Sequence, residues 1–229
     1  KNGVSHALCA GVTMERFPAL LALVEAHPNL YCAVGVHPDT DDEEAAEPDI
    51  ATLVRLAEHP KVVAIGETGL DYYRLQGDLE WQRARFRTHI RAAHQAGKPL
   101  IIHTRAAADD TLRLMREESA DKVGGVMHCF TESWEIAEQA IALGFYISFS
   151  GIVTFKNAKT IKEVAQRVPL DVAEQDLLHV ATEAQVEDRG VEPLVLLRQP
   201  DLLAVELDGD RIDAAARAGV GLRPHRHRR

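Results

Sequence analysis

The stretch that decides the fold is Val62–Tyr73, with the sequence VVAIGETGLDYY. Its first four residues are apolar and predict a short buried strand, Val62–Ile65. This strand runs directly into Gly66-Glu67-Thr68-Gly69, where the glycines permit a tight exit from the sheet. The carboxylate of Glu67 is therefore presented at the point where the strand ends.

Two later stretches repeat this arrangement with a histidine in place of the glutamate. Pro99–Ile102 runs into His103, and Gly124–Met127 runs into His128. The carboxyl ends of parallel strands meet on one face, which carries the active site in barrels. Because carboxylates and imidazoles are metal ligands, Glu67, His103 and His128 predict a metal site. The alternative is an exposed loop acid and two satisfied core histidines.

Helical patterns alternate with the apolar segments along most of the chain. The predicted strands are Gly3–Val12, Leu30–Val36, Val62–Ile65, Pro99–Ile102, Gly124–Met127 and Phe145–Phe149. The predicted helices are Met14–Ala26, Ile50–His59, Asp78–Ala96, Ala106–Glu118, Ser133–Leu143 and Asn157–Val168. This alternation predicts an α/β fold of the TIM-type (β/α)8 barrel, incomplete because its first strand is missing and its last strand is not recognisable.

The longest predicted helix, Asp78–Ala96, carries both apolar and basic residues. Phe86, Ile90 and Ala93 form an apolar seam at helical spacing, which predicts packing against the core. The arginines of this helix spread over more than one face, which favours a solvated outer helix over a phosphate-binding patch. These arginines are Arg83, Arg85, Arg87 and Arg91.

Length and charge limit the class of protein. With 229 residues the chain suits one domain, whereas a complete (β/α)8 barrel needs about 250 residues. Because the sequence also begins at Lys1, we expect that it is truncated at its amino terminus. The net charge of −9 argues against a general nucleic-acid-binding surface, unless bound cations supply positive charge locally.

The cysteines and the hydropathy pattern indicate the cellular compartment. Cys9, Cys32 and Cys129 lie in apolar, strand-like segments and lack the spacing of metal ligands, which predicts buried free thiols in a reducing cytosol. No signal peptide is visible, and no apolar run approaches the roughly 18 residues that a membrane span needs. We expect a cytoplasmic protein without a membrane partner, and a monomer.

Five stretches carry a resemblance to a known family: GVHP (35–38), GETGLDYY (66–73), KPLIIHTR (98–105), GGVMHCFTES (124–133) and GFYISFSGIVTFKNA (144–158). In this order, and over roughly Gly3 to Asp171, they resemble the TatD family of metal-dependent hydrolases and deoxyribonucleases. The resemblance implies a (β/α)8 barrel that hydrolyses nucleic-acid phosphodiester bonds, in the manner of a 3′-exonuclease, with a metal-activated water. It also implies DNA or another nucleic acid as the substrate.

The chemistry of that reaction assigns roles to the strand-end residues. Glu67 is the predicted catalytic carboxylate and bridge, because its two oxygens can each bind one of two divalent ions. With Glu67, His103 and His128 are predicted to hold the more nitrogen-rich metal position. The cofactor is up to two divalent cations per complete site, Mg, Mn or Zn, where imidazoles favour Zn or Mn and Mg prefers oxygen.

Three further residues are assigned to substrate binding. The resemblance places His37 of the GVHP motif at the mouth of the site, although His37 could instead cap its strand. Arg105 lies two residues beyond His103, where its guanidinium could bind a phosphate bidentately or pair with Asp109 or Glu67. Tyr72 of the GETGLDYY motif completes this set.

The sequence changes character beyond Asp171, which predicts a partial barrel at 1–171 and an atypical Arg-rich tail at 172–229. Without a true eighth unit, the strand Phe145–Phe149 is expected to have an unpaired edge, unless the tail supplies a substitute strand. The candidates for that strand are Leu177–Thr182 and Leu202–Leu207.

The family pattern also expects ligands that this sequence lacks. A His-x-His pair on the first strand is absent, since His6 is followed by Ala7 and Leu8. No Thr-Asp-Ser-Pro-Tyr motif follows, and Glu183 is the one candidate replacement for its aspartate. The sequence therefore leaves two alternatives to a nuclease, which is itself expected to be impaired. They are a non-catalytic remnant that binds metal or phosphate, and an amidohydrolase that acts on another ester or amide.

Overall fold

The computed structural model describes residues 6–40, 47–73, 75, 77–169, 172–175 and 194–195. Its strands are β1 (Ala7–Cys9), β2 (Leu30–Val34), β3 (Val62–Asp71), β4 (Leu100–Arg105), β5 (Gly125–Met127), β6 (Phe145–Phe149), β7 (Ala173–Gln175) and β8 (Leu194–Val195). Its α-helices are α1 (Phe17–Glu25), α2 (Ile50–Ala57), α3 (Glu80–Ala96), α4 (Ala108–Glu117), α5 (Trp134–Ala142) and α6 (Lys159–Arg167). Within these ranges, no helix has the length and apolar character that a membrane crossing requires.

The strands form one sheet in the order β7-β6-β5-β4-β3-β2-β1-β8. Neighbours from β1 to β7 run parallel, and β8 pairs with β1 in the antiparallel sense. Among the described residues no pairing joins β7 to β8, so the sheet does not close into a ring. This confirms the predicted α/β fold and its match to an incomplete TIM-type barrel.

The edge of β6 that was expected to be unpaired has a neighbouring strand. β7 pairs with it in parallel, and the N–H of Ile147 donates to the carbonyl of Val172 at 2.9 Å. The tail therefore supplies a substitute strand for this edge, as the expectation allowed, but it does so at Ala173–Gln175, directly after α6. The two proposed substitute strands, Leu177–Thr182 and Leu202–Leu207, lie outside the described residues.

Side chains alternate across the sheet and build two layers of core. Leu100 and Ile102 of β4 belong to the large core that includes the fully buried Phe86 and Ile90 of α3. Ile101 points to the other face and packs in a small inner cluster of one side chain from each of five strands: Leu8, Ala33, Ala64, Ile101 and Val126. His103 and Arg105 follow Ile101 at intervals of two residues, so the alternation assigns them to this inner face.

Strand β3 is longer than the sequence suggests and contains Glu67 rather than ending before it. The pairing with β4 shifts between Ile65 and Thr68, as a β-bulge requires. Gly69, at φ 141°, permits the close pairing beyond the bulge, since a Cβ there would lie 1.9 Å from the carbonyl oxygen of His103. The chain therefore does not leave the sheet at Gly66–Gly69, as the sequence predicted. It stays in β3 and forms a bulge at Glu67.

Two of the three cysteines are buried free thiols, as predicted. Cys9 and Cys32 are buried free thiols that face each other in the register of β1 and β2. Burial, with the neighbouring Cys9, raises the pKa of Cys32 to about 12. Cys129 is only partly buried, and its sulfur lies 3.4 Å from Nε2 of His128.

Candidate metal centre

Glu67 lies in the second half of β3 and is 3% exposed. Its N–H donates to the carbonyl of Gly11 at 2.8 Å, and the N–H of Gly11 donates to the carbonyl of Gly66 at 3.2 Å. These bonds fasten the bulge of β3 to the segment that follows β1. The backbone at Glu67 is therefore held from the side opposite to β4.

Imidazoles from three different segments surround the carboxylate. Oε1 of Glu67 lies 3.2 Å from Nδ1 of His103 and 3.8 Å from Nε2 of His37. The same two histidine nitrogens lie 3.3 Å from each other. Oε2 of Glu67 faces Nε2 of His128 at 3.7 Å. We refer to Glu67, His37, His103 and His128 as the strand-end cluster.

This arrangement brings together the three residues assigned as ligands and adds one more. The three ligand atoms that lie within 4.8 Å of one another belong to His37, Glu67 and His103. His37 was assigned to the substrate, whereas here its Nε2 faces the carboxylate. His128 lies at the other carboxylate oxygen, so His103 and His128 face different oxygens of Glu67.

The electrostatics of the strand-end cluster keep its carboxylate ionised. Burial alone would raise the pKa of Glu67. The positive charge of His128, the hydrogen bond from His103 and the charge of His37 outweigh burial and lower this pKa to about 2. At neutral pH Glu67 is therefore an anion in a site almost closed to water.

His103 lies between two carboxylates. Its Nδ1 faces Glu67, and its Nε2 lies 3.1 Å from Oδ2 of Asp71. Burial would lower the pKa of His103, but the hydrogen bonds to Asp71 and Glu67 raise it to about 9. No motif assigned a role to Asp71, although the strand alternation from Glu67 through Gly69 to Asp71 was a signal that the two acids share a face.

The segment that carries His37 is held by a row of buried polar side chains on α3. Gln82 donates to the carbonyl of Pro38 at 2.9 Å, and Arg85 donates to the carbonyls of His37 and Thr40, each at 3.0 Å. His89 accepts from the N–H of Val36 at 3.0 Å. We refer to Gln82, Arg85 and His89 as the inner row of α3.

Arg85 and His89 of the inner row are buried although both side chains can carry a charge. Arg85 is 7% exposed and also pairs with the carboxylate of Glu47, so its assignment to a solvated outer surface was wrong. Its guanidinium points inward because backbone carbonyls and Glu47 supply acceptors there. His89 donates from Nδ1 to the carbonyl of Arg85 at 2.8 Å, and burial lowers its pKa to about 4. It is therefore a neutral, fully paired imidazole.

The residues assigned to substrate binding lie in different settings. Arg105 pairs with neither Asp109 nor Glu67 and places its guanidinium 3.9 Å from the ring centroid of Tyr73. The hydroxyl of Tyr72 donates to Asp110 at 2.7 Å and accepts from Arg83 at 3.0 Å. Tyr72 is thus engaged in contacts between α3 and α4, and its role in substrate binding stays a prediction.

The donor set fits a divalent transition metal. Tetrahedral ligands at about 2.1 Å from an ion lie about 3.4 Å from one another. The separations among His37, Glu67 and His103 are 3.2, 3.3 and 3.8 Å. Asp71 on the far nitrogen of His103 matches the carboxylate partner that metal-binding histidines usually have. One carboxylate and two imidazoles favour Zn or Mn over Mg.

An incomplete (β/α)8 barrel with this donor set beside its strand ends is an arrangement typical of metal-dependent barrel enzymes. The sequence profile of the TatD-related DNases matches residues 1–176. The chain therefore belongs to the TatD family of metal-dependent hydrolases, as its motifs predicted.

Known relatives agree with this assignment. An uncharacterized metal-dependent hydrolase of Buchnera aphidicola subsp. Baizongia pistaciae is 42% identical over 171 residues, which are 75% of this chain and 64% of that protein. The 3′-5′ ssDNA/RNA exonuclease TatD of Erwinia tasmaniensis is 33% identical over 172 residues, 74% of this chain and 66% of that protein. The chain thus spans slightly less than two thirds of the length of these relatives.

A solved structure shares the fold. YjjV, a TatD homologue from Escherichia coli K12, superposes with a TM-score of 0.68 at 30% identity. The match covers 76% of this chain and 67% of YjjV. The likeness supports the barrel assignment over the described part of the chain.

Proposed function

We propose that the strand-end cluster binds a divalent cation and that the chain hydrolyses phosphodiester bonds of single-stranded nucleic acid from the 3′ end. The observation that carries the proposal is the group of ligand atoms from His37, Glu67 and His103 within 4.8 Å of one another. Membership of the TatD family supports hydrolysis. The name of the Erwinia tasmaniensis relative, an exonuclease, supports the substrate class.

The residues of the chain prepare the site for an ion. Glu67 is ionised at neutral pH, as its pKa of about 2 requires, and offers one oxygen to each side of the strand-end cluster. Asp71 accepts from Nε2 of His103, which orients Nδ1 toward the other donors. When bound, a divalent ion neutralises phosphate charge and acidifies a water molecule.

The surroundings of the strand-end cluster support an anionic substrate. Arg105 follows His103 by two residues on the inner face of β4, and no ion pair to a described acid occupies its guanidinium. It is therefore available to bind a phosphate bidentately. Tyr72 completes the proposed substrate contacts. His37 has a second proposed role, as a ligand, and its Nδ1 contacts the carboxylate of Asp39.

A nuclease assay tests the proposal. The chain is incubated with a 5′-labelled single-stranded oligonucleotide and Mn²⁺, Mg²⁺ or Zn²⁺, with a chelator as the blank. We expect metal-dependent products that shorten from the 3′ end, formed slowly because the His-x-His pair and the Thr-Asp-Ser-Pro-Tyr motif are absent. In Glu67→Gln, the rate should fall by about a thousandfold or more, because the charge that holds the cation is lost. Glu58→Gln, on an exposed acid that follows α2, is the matched control and should retain the wild-type rate.

The outcomes separate the alternatives. Equal hydrolysis by Glu67→Gln would contradict the proposal, because the activity would then come from elsewhere. Metal binding at the strand-end cluster without hydrolysis of any oligonucleotide would favour the non-catalytic alternative. Hydrolysis of carboxylic esters or amides but not of oligonucleotides would favour the amidohydrolase alternative.

A further inference from the structure

An exposed aromatic side chain lies at the rim of the candidate metal centre. Tyr73 is 65% exposed, more than the other large hydrophobic side chains that are exposed in the described part of the chain: Leu23, Tyr146 and Phe155. It follows β3 by two residues and so lies at the same end of the sheet as the strand-end cluster. Single exposed aromatic rings are common on protein surfaces, so what matters here is which groups surround this ring.

The backbone of Tyr73 is linked to the metal centre through one carboxylate. The N–H of Tyr73 donates to Oδ1 of Asp71 at 2.9 Å, and Oδ2 of the same carboxylate contacts His103 at 3.1 Å. The N–H of Tyr72 donates to the carbonyl of Arg105 at 2.9 Å, which extends the pairing of β3 and β4 past their last ladder pair. The backbone at the rim is therefore fixed relative to the proposed ligands.

Arg105 covers the ring of Tyr73, and its charge is not neutralised by an ion pair within the described residues. Its Cζ lies 3.9 Å from the ring centroid. By contrast, the arginines of α3 each pair with acidic side chains: Arg83, Arg85, Arg87 and Arg91. Because stacking occupies the face of a guanidinium and leaves its N–H edge available, Arg105 can still bind an anion bidentately.

Distance along the strand brings this pair within reach of a substrate in the metal centre. Arg105 lies two residues beyond His103 on the same face of β4, a rise of about 7 Å. A nucleotide whose phosphate is at the strand-end cluster thus has its neighbours beside Arg105 and Tyr73. Proteins that bind single strands without sequence preference combine a cation for the backbone with aromatic rings for the bases.

We propose that Tyr73 and Arg105 form a nucleotide subsite, in which the Tyr73 ring stacks on a nucleobase and the Arg105 guanidinium binds an adjacent phosphate of single-stranded nucleic acid. This subsite rests on the proposed function, since it lies at the rim of the same site. The stacking is tolerant of base identity because every base has an aromatic face. The subsite therefore selects single strands with bases present over abasic strands or simple phosphate esters.

Binding to a hydrolysis-resistant ligand tests the subsite apart from turnover. Fluorescence anisotropy measures the affinity of the chain, with Mn²⁺ added, for a labelled phosphorothioate oligothymidine and for its abasic counterpart. Tyr73→Leu should weaken binding of oligothymidine by about tenfold and leave binding of the abasic strand nearly unchanged. Tyr73→Phe should bind as the wild type does. Tyr146→Leu, on an exposed ring at the second position of β6, is the matched control and should also bind normally.

The salt dependence tests the role of Arg105. Removal of one phosphate contact in Arg105→Gln should lower the slope of log affinity against log salt concentration by about one. An equal loss for oligothymidine and for the abasic strand in Tyr73→Leu would overturn the stacking role. No measurable binding by the wild-type chain, or a Tyr73→Leu variant with unchanged affinity, would overturn the subsite.

The two proposals fail separately. Metal-dependent hydrolysis that requires Glu67, with unchanged oligothymidine affinity in Tyr73→Leu, would overturn the subsite and leave the proposed function intact. Base-dependent binding through Tyr73 without hydrolysis would support the subsite and contradict the nuclease activity.

Discussion

The strand-end cluster and the inner row of α3 are two groups of buried polar side chains that differ in their hydrogen-bond partners. In the inner row, Gln82, Arg85 and His89 exchange hydrogen bonds mainly with backbone groups of the segment that carries His37. In the strand-end cluster, histidine nitrogens crowd around the one carboxylate of Glu67. Polar groups of the inner row are satisfied mainly by the backbone, whereas in the cluster one nitrogen of each histidine faces the carboxylate of Glu67.

This difference separates scaffold from site. A buried polar group paired with the backbone stabilises one conformation and has no capacity left for a ligand. A divalent cation can accept lone pairs from the carboxylate and from the imidazoles at once, provided that the imidazoles give up their protons. The inner row therefore serves the cluster indirectly, because it fixes the backbone from which His37 projects. Variants of the inner row should therefore change the free energy of unfolding, whereas variants of the strand-end cluster should change metal binding.

The largest effect on stability is expected at Arg85. Arg85→Met leaves the carbonyls of His37 and Thr40 without their donor and removes the ion pair with Glu47. We expect the free energy of unfolding to fall by about 3 kcal/mol, measured by urea denaturation. Arg91→Gln is the matched control, because Arg91 pairs with Glu118 at the surface of the same helix. It should change stability by no more than about 0.5 kcal/mol, and equal losses in the two variants would contradict the distinction.

A smaller effect, dependent on pH, is expected at His89. Its pKa is lowered by burial from 6.5 to about 4, so the folded state excludes the proton that the unfolded state binds. The charged groups that face it are Arg85, which also lowers the pKa, and Glu47, which raises it. This stabilisation is complete above about pH 6.5 and is lost as the pH falls toward 4. The loss between pH 7 and pH 5 should be about 2 kcal/mol.

His89→Gln provides the comparison for this prediction. Its side-chain oxygen can accept from the N–H of Val36, but it cannot titrate. Urea denaturation of both proteins at several pH values gives the difference in stability, which should shrink as the pH falls. A constant difference across this range would show that His89 is not kept neutral by the fold.

Local sequence patterns were sufficient to predict much of the fold. Apolar runs such as Val62–Ile65 and Pro99–Ile102 mark strands because parallel strands are buried on both faces. Gly97 marks the end of α3 because it takes the left-handed conformation, at φ 61°. The bulge at Glu67 could not be predicted, since it depends on the register with β4 and not on the composition of β3.

Parts of the candidate site also lay beyond local patterns. Glu67, His103 and His128 were found because each stands at or beside the end of an apolar run. The position of His37 against the carboxylate depends on contacts with α3, which are distant in the sequence. Arg85 looks like a surface residue in a helical pattern, because nothing local indicates that backbone carbonyls will approach it.

The central claim is that the strand-end cluster is a metal site, and isothermal titration of the chain with Zn²⁺ or Mn²⁺ tests it most directly. We expect at least one ion per chain, with affinity weakened by about a hundredfold or more in Glu67→Gln and by about tenfold in Asp71→Asn. A double variant of His225 and His227, the histidines of the basic carboxyl terminus, controls for adventitious binding and should leave the affinity unchanged. Wild-type affinity in Glu67→Gln, with binding abolished in the terminal double variant, would contradict the account.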